Sequence, residues 1–88
     1  MRVQLIVSGR VQGVGFRFAA MREAGRLGVT GWVRNTRDGR VEIVAEGAPD
    51  VIAQFVEWVG RGPAGAVVTK VDRHALDPEA PLPDFRIR

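Results

Sequence analysis

Between residues 8 and 17 the chain reads SGRVQGVGFR, and the hydrophobic period changes across it. Before it, Val3, Leu5 and Val7 alternate with Gln4, Ile6 and Ser8, the period-two pattern of a strand over Arg2–Ser8. After it, Phe16, Ala20, Ala24 and Leu27 recur at helical spacing, and Gly28 supplies the stop. Gly9, Gly13 and Gly15 punctuate the change. A strand must therefore become a helix within a few residues, through a loop shaped by glycine.

The remainder continues the alternation of strand and helix. Thr30–Thr36 reads as a strand, Arg37–Asp38–Gly39 as a hairpin turn, and Val41–Glu46 as a strand with Val41, Ile43 and Ala45 on one face. On that reading Glu42 and Glu46 belong to its solvent face. Pro49 suits a first helical turn, and Ile52, Phe55, Val56 and Val59 form an apolar stripe closed by GRGPAG at residues 60–65. Ala66–His74 is rich in strand formers, Asp77–Asp84 is a proline-spaced loop, and Phe85–Arg88 can add a short fifth strand at an edge. The order βαββαβ, with right-handed crossovers, is that of a ferredoxin-like α+β sandwich: two helices on one face of a mainly antiparallel sheet.

Eighty-eight residues are read as one domain spanning 1–88. The absence of cysteine rules out a disulfide framework and a thiolate metal site. The apolar run at the N-terminus is too short for a signal segment or a membrane span, so the default expectation is a cytoplasmic, monomeric protein with no membrane partner. The net charge of +3 comes from twelve arginines and one lysine against ten acids. Coding bias can account for much of that excess, yet five arginines (Arg10, Arg17, Arg34, Arg37 and Arg40) fall in or beside just two segments. The arginine fork suits phosphate and carboxylate partners.

The topology makes a geometric prediction. A first helix of about 12 residues descends roughly 18 Å. A strand of about seven residues then climbs back roughly 23 Å. The end of the second strand, near Asn35, should thus return to the level of the glycine loop. By period-two parity Asn35 shares a face with Val33, while Trp32 and Arg34 take the other.

In VQGVGFR, glycines allow left-handed dihedrals, so that successive N–H groups can form a concave nest for an anion. The helix that follows adds unpaired N–H groups and the positive end of its dipole. Glycines by themselves favour a plain tight turn. An arginine in the first helical turn is unfavourable against that dipole unless an anion is present, and Arg17 sits there. Two look-alikes fail. Phe18 occupies the third position of a dinucleotide-binding glycine pattern, and no G-K-[ST] follows for a P-loop.

GRVQGVGFR (Gly9–Arg17) and GWVRNTRDGRVE (Gly31–Glu42) resemble the two signature segments of the acylphosphatase family. The similarity extends over nearly the whole chain, through the AEG turn at Ala45–Gly47 and the terminal F-x-I. The alanine-rich Phe18–Ala20 departs from the bulkier residues expected there, which touches packing more than chemistry. The resemblance implies a hydrolase that splits carboxyl–phosphate anhydrides of small acyl phosphates into carboxylate and inorganic phosphate. It places the phosphate-binding arginine at Arg17 and the water-positioning asparagine at Asn35. The cradle is then formed by the backbone of Gln12, Gly13, Val14, Gly15, Phe16 and Arg17.

That chemistry suits the residues present. The leaving carboxylate has a conjugate acid of pKa about 4–5, so no strong general acid is required. Phosphoryl transfer through a loose transition state asks mainly for positioning and charge stabilisation. No cofactor and no metal are expected, since one histidine and scattered carboxylates offer no ligand spacing. His74 reads as an edge residue, Trp58 as a partly buried flank, and Trp32 as packing against a neighbour or the C-terminal strand. An RNA-binding module of the same topology would stack bases on aromatics of its two central strands. The first and third strands here carry none, so no nucleic-acid partner is expected. A non-catalytic phosphate or carbamoyl-phosphate sensor using the same loop remains an alternative.

Overall fold

The computed structural model describes residues 1–88. The chain forms β1 (Arg2–Arg10), α1 (Phe16–Leu27), β2 (Thr30–Asn35), β3 (Val41–Glu46), α2 (Pro49–Arg61), β4 (Val67–Leu76) and β5 (Phe85–Ile87). The five strands make one sheet in the order β4-β1-β3-β2-β5. All pairings are antiparallel except that of β2 with β5, which is parallel. This is the expected ferredoxin-like α+β sandwich, with the C-terminal edge strand formed.

Element ends moved for local reasons. β1 runs two residues beyond Ser8, because β4 continues to pair with it after a register shift at Ser8/Gly9. β4 reaches Leu76 because Arg2 and Val3 at the start of β1 pair with Leu76 and Ala75. α2 passes through Gly60 to Arg61, and stops where Gly62, at φ 69°, donates its N–H to the Trp58 carbonyl at 2.8 Å. One expectation is overturned. Glu42 is not on a solvent face: it is buried, accepts Gln4 Nε2 at 2.7 Å, and is bound by Arg34 Nε at 2.6 Å. Side chains of neighbouring strands cover that face, and a buried carboxylate is tolerable only with such partners.

The alternating residues meet the helices as parity requires. Val3, Leu5 and Val7 from β1, Val33 from β2, and Val41, Ile43 and Ala45 from β3 are all fully buried. They pack with Phe16, Ala20 and Ala24 of α1 and with Ile52, Phe55 and Val59 of α2 in one core. Val56, expected with the core, is half-buried at its margin. The alanines let α1 lie close to the sheet. Phe16 anchors the start of α1, with its ring 5.7 Å from the half-buried Trp58. On the opposite face Trp32 carries the Arg88 guanidinium 4.5 Å over its ring, a cation–π contact with the C-terminal residue.

Because Phe16 is 1% exposed and fixes the helix entry, Phe16→Ala should destabilise the fold by about 3–5 kcal/mol. Urea denaturation of both proteins measures this. A loss below about 1 kcal/mol would show that the loop, rather than the core, holds the start of α1.

Candidate active site

Three residues of the loop between β1 and α1 determine its shape. Val11 is buried as an anchor, and Gly13 and Gly15 adopt φ 75° and 76°. Val14 between them keeps a negative φ, so handedness alternates along the segment. Alternation of this kind turns successive N–H groups toward one side. Gly15 is also the residue at which α1 begins. No side chain caps that end, and its first turn has no acidic residue. The first backbone bond of the helix runs from Ala19 N–H to the Gly15 carbonyl at 3.0 Å. The N–H groups of Phe16, Arg17 and Phe18 precede it and are available to an anion.

The second strand arrives from the other side. Asn35 pairs with Val41, and Val41 pairs with Val7, so Asn35 lies in the same row of the sheet as a residue just before the loop. Val33 is fully buried beneath it on the same face, while Trp32 and Arg34 point the other way. Asn35 accordingly joins Gly13, Gly15, Phe16 and Arg17 around a single cavity of about 190 Å³. Val11 and Phe18 complete its wall. Drug-sized ligand pockets run to roughly 300–1,000 Å³. The space therefore suits a headgroup better than a large substrate.

Gln12 and Val14 do not line this cavity. Val14 packs against the core. The Gln12 side chain crosses to the β2–β3 hairpin, where Nε2 donates to the carbonyls of Thr36 at 2.8 Å and Arg40 at 2.9 Å. Sequence reasoning valued Gln12 for its backbone alone. Phe18 was likewise treated as packing, whereas it is largely exposed at the cavity's lip.

The structure also sorts the arginines. Arg34 is spent on Glu42, and Arg40 binds Asp38 at 2.7 Å. Arg10, Arg17 and Arg37 take part in none of the seven ion pairs, and of these three only Arg17 lines the cavity. A larger hollow, about 270 Å³, lies where Ala19, Arg22, Glu23 and Arg26 of α1 face Trp58 and Pro63. Arg26 there is already paired with Glu23, and no loop amides converge on it. The candidate anion site is therefore the smaller cavity. No cluster of three His, Asp or Glu side chains could hold a metal ion. His74 is exposed on β4.

The fold and this loop define a small α+β sandwich with a concave, arginine-bearing loop at one end of its sheet. The chain belongs to the acylphosphatase family: the family model for acylphosphatase matches residues 3–87. An acylphosphatase from Trichormus variabilis is 52% identical over 88 residues, covering all of this chain and 86% of that relative. One from Thermococcus kodakarensis is 47% identical over 87 residues, covering 99% and 94%. The crystal structure of the acylphosphatase from Bacillus subtilis superposes with a TM-score of 0.95 at 40% identity, covering 99% of this chain and 97% of that one. Acylphosphatases are hydrolases acting on acid anhydrides, and the chain is an enzyme of that class.

The hairpin that carries Asn35 is braced by charge. Hydrogen bonds from Arg40 first, and then from the Thr36 hydroxyl, lower the Asp38 carboxyl to about 2. Thr36 Oγ1 in turn accepts the Arg40 N–H at 3.0 Å. A folded pKa below the unfolded one contributes stability that is complete above the unfolded value, 3.8, and lost as pH falls through about 2. A carboxyl 13C titration should therefore give Asp38 a midpoint near 2, with the Arg40 amide following the same curve. A midpoint near 3.8 would mean that the bracing does not form.

Proposed function

We propose that Arg17 and the amides of the Gln12–Arg17 loop hold the phosphoryl group of a small acyl phosphate while Asn35 orients the attacking water. The observation that carries this reading is the convergence of Arg17, the two left-handed glycines and Asn35 on one cavity. The Arg17 guanidinium and the start of α1 oppose the negative charge of the phosphoryl oxygens. The Asn35 carboxamide accepts a hydrogen from water through Oδ1 and can donate through Nδ2, so it can aim one lone pair of the water at phosphorus. Water oxygen bonds to phosphorus as the bond to the acyl oxygen breaks. The electron pair leaves with the carboxylate, and inorganic phosphate remains.

Neither a strong base nor an acid is called for. In a loose transition state the bond to water is little formed, and the water proton is lost late. The carboxylate departs without protonation, because its conjugate acid is itself strong on this scale. The phosphate end is gripped and the remaining wall is small, so selectivity for the acyl group should be broad. Phosphate, as product, should compete with substrate. We further propose that the enzyme works as a cytoplasmic monomer on small acyl phosphates, without nucleic-acid partners.

Benzoyl phosphate hydrolysis tests the assignment. Arg17→Ala should raise the phosphate inhibition constant and cost about 3 kcal/mol or more in kcat/KM. Asn35→Ala should lower kcat with phosphate inhibition nearly unchanged, and chelators should leave the wild-type rate as it was. Full activity of folded Asn35→Ala would remove the water-positioning role, and full activity of Arg17→Ala would move the site elsewhere.

A further inference from the structure

The Gln12 side chain joins two parts of the molecule that are 24 and 28 residues apart in sequence. Its amide nitrogen has two hydrogens, and both are used: one on the Thr36 carbonyl, one on the Arg40 carbonyl. Each of those oxygens already accepts a hydrogen bond within the hairpin. Thr36 N–H donates to Arg40 O at 2.8 Å, and Gly39 N–H to Thr36 O at 3.3 Å. Gln12 thus takes the second lone pair of each, at the mouth of the hairpin. Thr36 directly follows Asn35, and Gln12 directly precedes Gly13. The bridge therefore spans from the residue next to the anion loop's first left-handed glycine to the residue next to the water-positioning amide.

We propose that Gln12 is a positioning residue, whose side chain sets the placement of Asn35 relative to the phosphate cradle. The cradle's own curvature does not need this bridge, since it comes from Gly13, Gly15 and the start of α1. Asn35 likewise has its strand pairing with Val41. What the ladder leaves undetermined is the gap between the loop and the strand end, because no backbone hydrogen bond crosses it. Bond-making distances to phosphorus tolerate little error, so a small change of that gap acts on turnover more than on binding. The inference rests on the assignment of the cavity as the site of hydrolysis.

Gln12→Met keeps the length and shape of the side chain and removes both donors. It should lower kcat for benzoyl phosphate roughly 10- to 100-fold, the scale of two hydrogen bonds, one part-buried and one exposed. The inhibition constant for inorganic phosphate should move less than about threefold, a split that general loosening of the fold would not produce. In the Asn35→Ala background the same substitution should cost less than about twofold, because the group being placed is already gone. If Gln12→Met unfolds at the assay temperature, Gln12→Ala serves instead, since it too presents no donor to the two carbonyls and adds no charge beside the loop. A kcat within twofold of wild type, or a loss that multiplies in full on top of Asn35→Ala, would overturn the proposal. Failure of the underlying site would look different: Arg17→Ala and Asn35→Ala would then both retain activity.

Discussion

The site depends on the register of β3 between its two neighbours. Val7 pairs with Val41, and Val41 with Asn35, so Val7, three residues before the end of β1, and the end of β2 lie in one row although 28 residues separate them in the chain. Side chains alternate faces along a strand, and a slip of one residue in either pairing would carry Asn35 to the face of Trp32 and Arg34. The core prevents that slip. Val33, Val41, Ile43 and Val7 are fully buried against the helices, and any shift would expose them together. Apolar packing thus performs the alignment that brings Asn35 to the candidate site.

Ion pairing and position together distinguish one arginine among many cations. Twelve arginines would make a diffuse positive surface with little discrimination. Ion pairing removes several from contention. Glu42 holds Arg34 on the outer face of the sheet, and Asp38 holds Arg40 across the hairpin. Arg17 keeps its fork unpaired beside an uncapped helix start with no acidic residue in its first turn. Arg10, Arg22, Arg37, Arg73 and Arg88 are likewise in no ion pair, so what distinguishes Arg17 is its place in the wall of the cavity.

Much of this was legible in the chain itself. The change of hydrophobic period around SGRVQGVGFR located β1, the loop and α1, and parity assigned Asn35 to the helix-facing side. Element ends were less legible, because β1 and β4 extend each other through pairing that neither segment encodes alone. Glu42 was misjudged for a related reason. Alternation marks the face a residue takes, but not whether long side chains from adjacent strands, here Gln4 and Arg34, will cover it. The side-chain role of Gln12 left no periodic or compositional signal at all.

The order of elements, the left-handed glycine positions and the family to which the chain belongs are written in the chain before it folds. These are local properties, carried by backbone freedom and by the spacing of apolar residues. The packed fold decides which unpaired arginine lines the cavity, where Gln12 reaches, and how SGRVQGVGFR meets the end of β2. Those outcomes depend on distances between residues far apart in the chain, and such distances exist only once the sheet has closed and the core is packed.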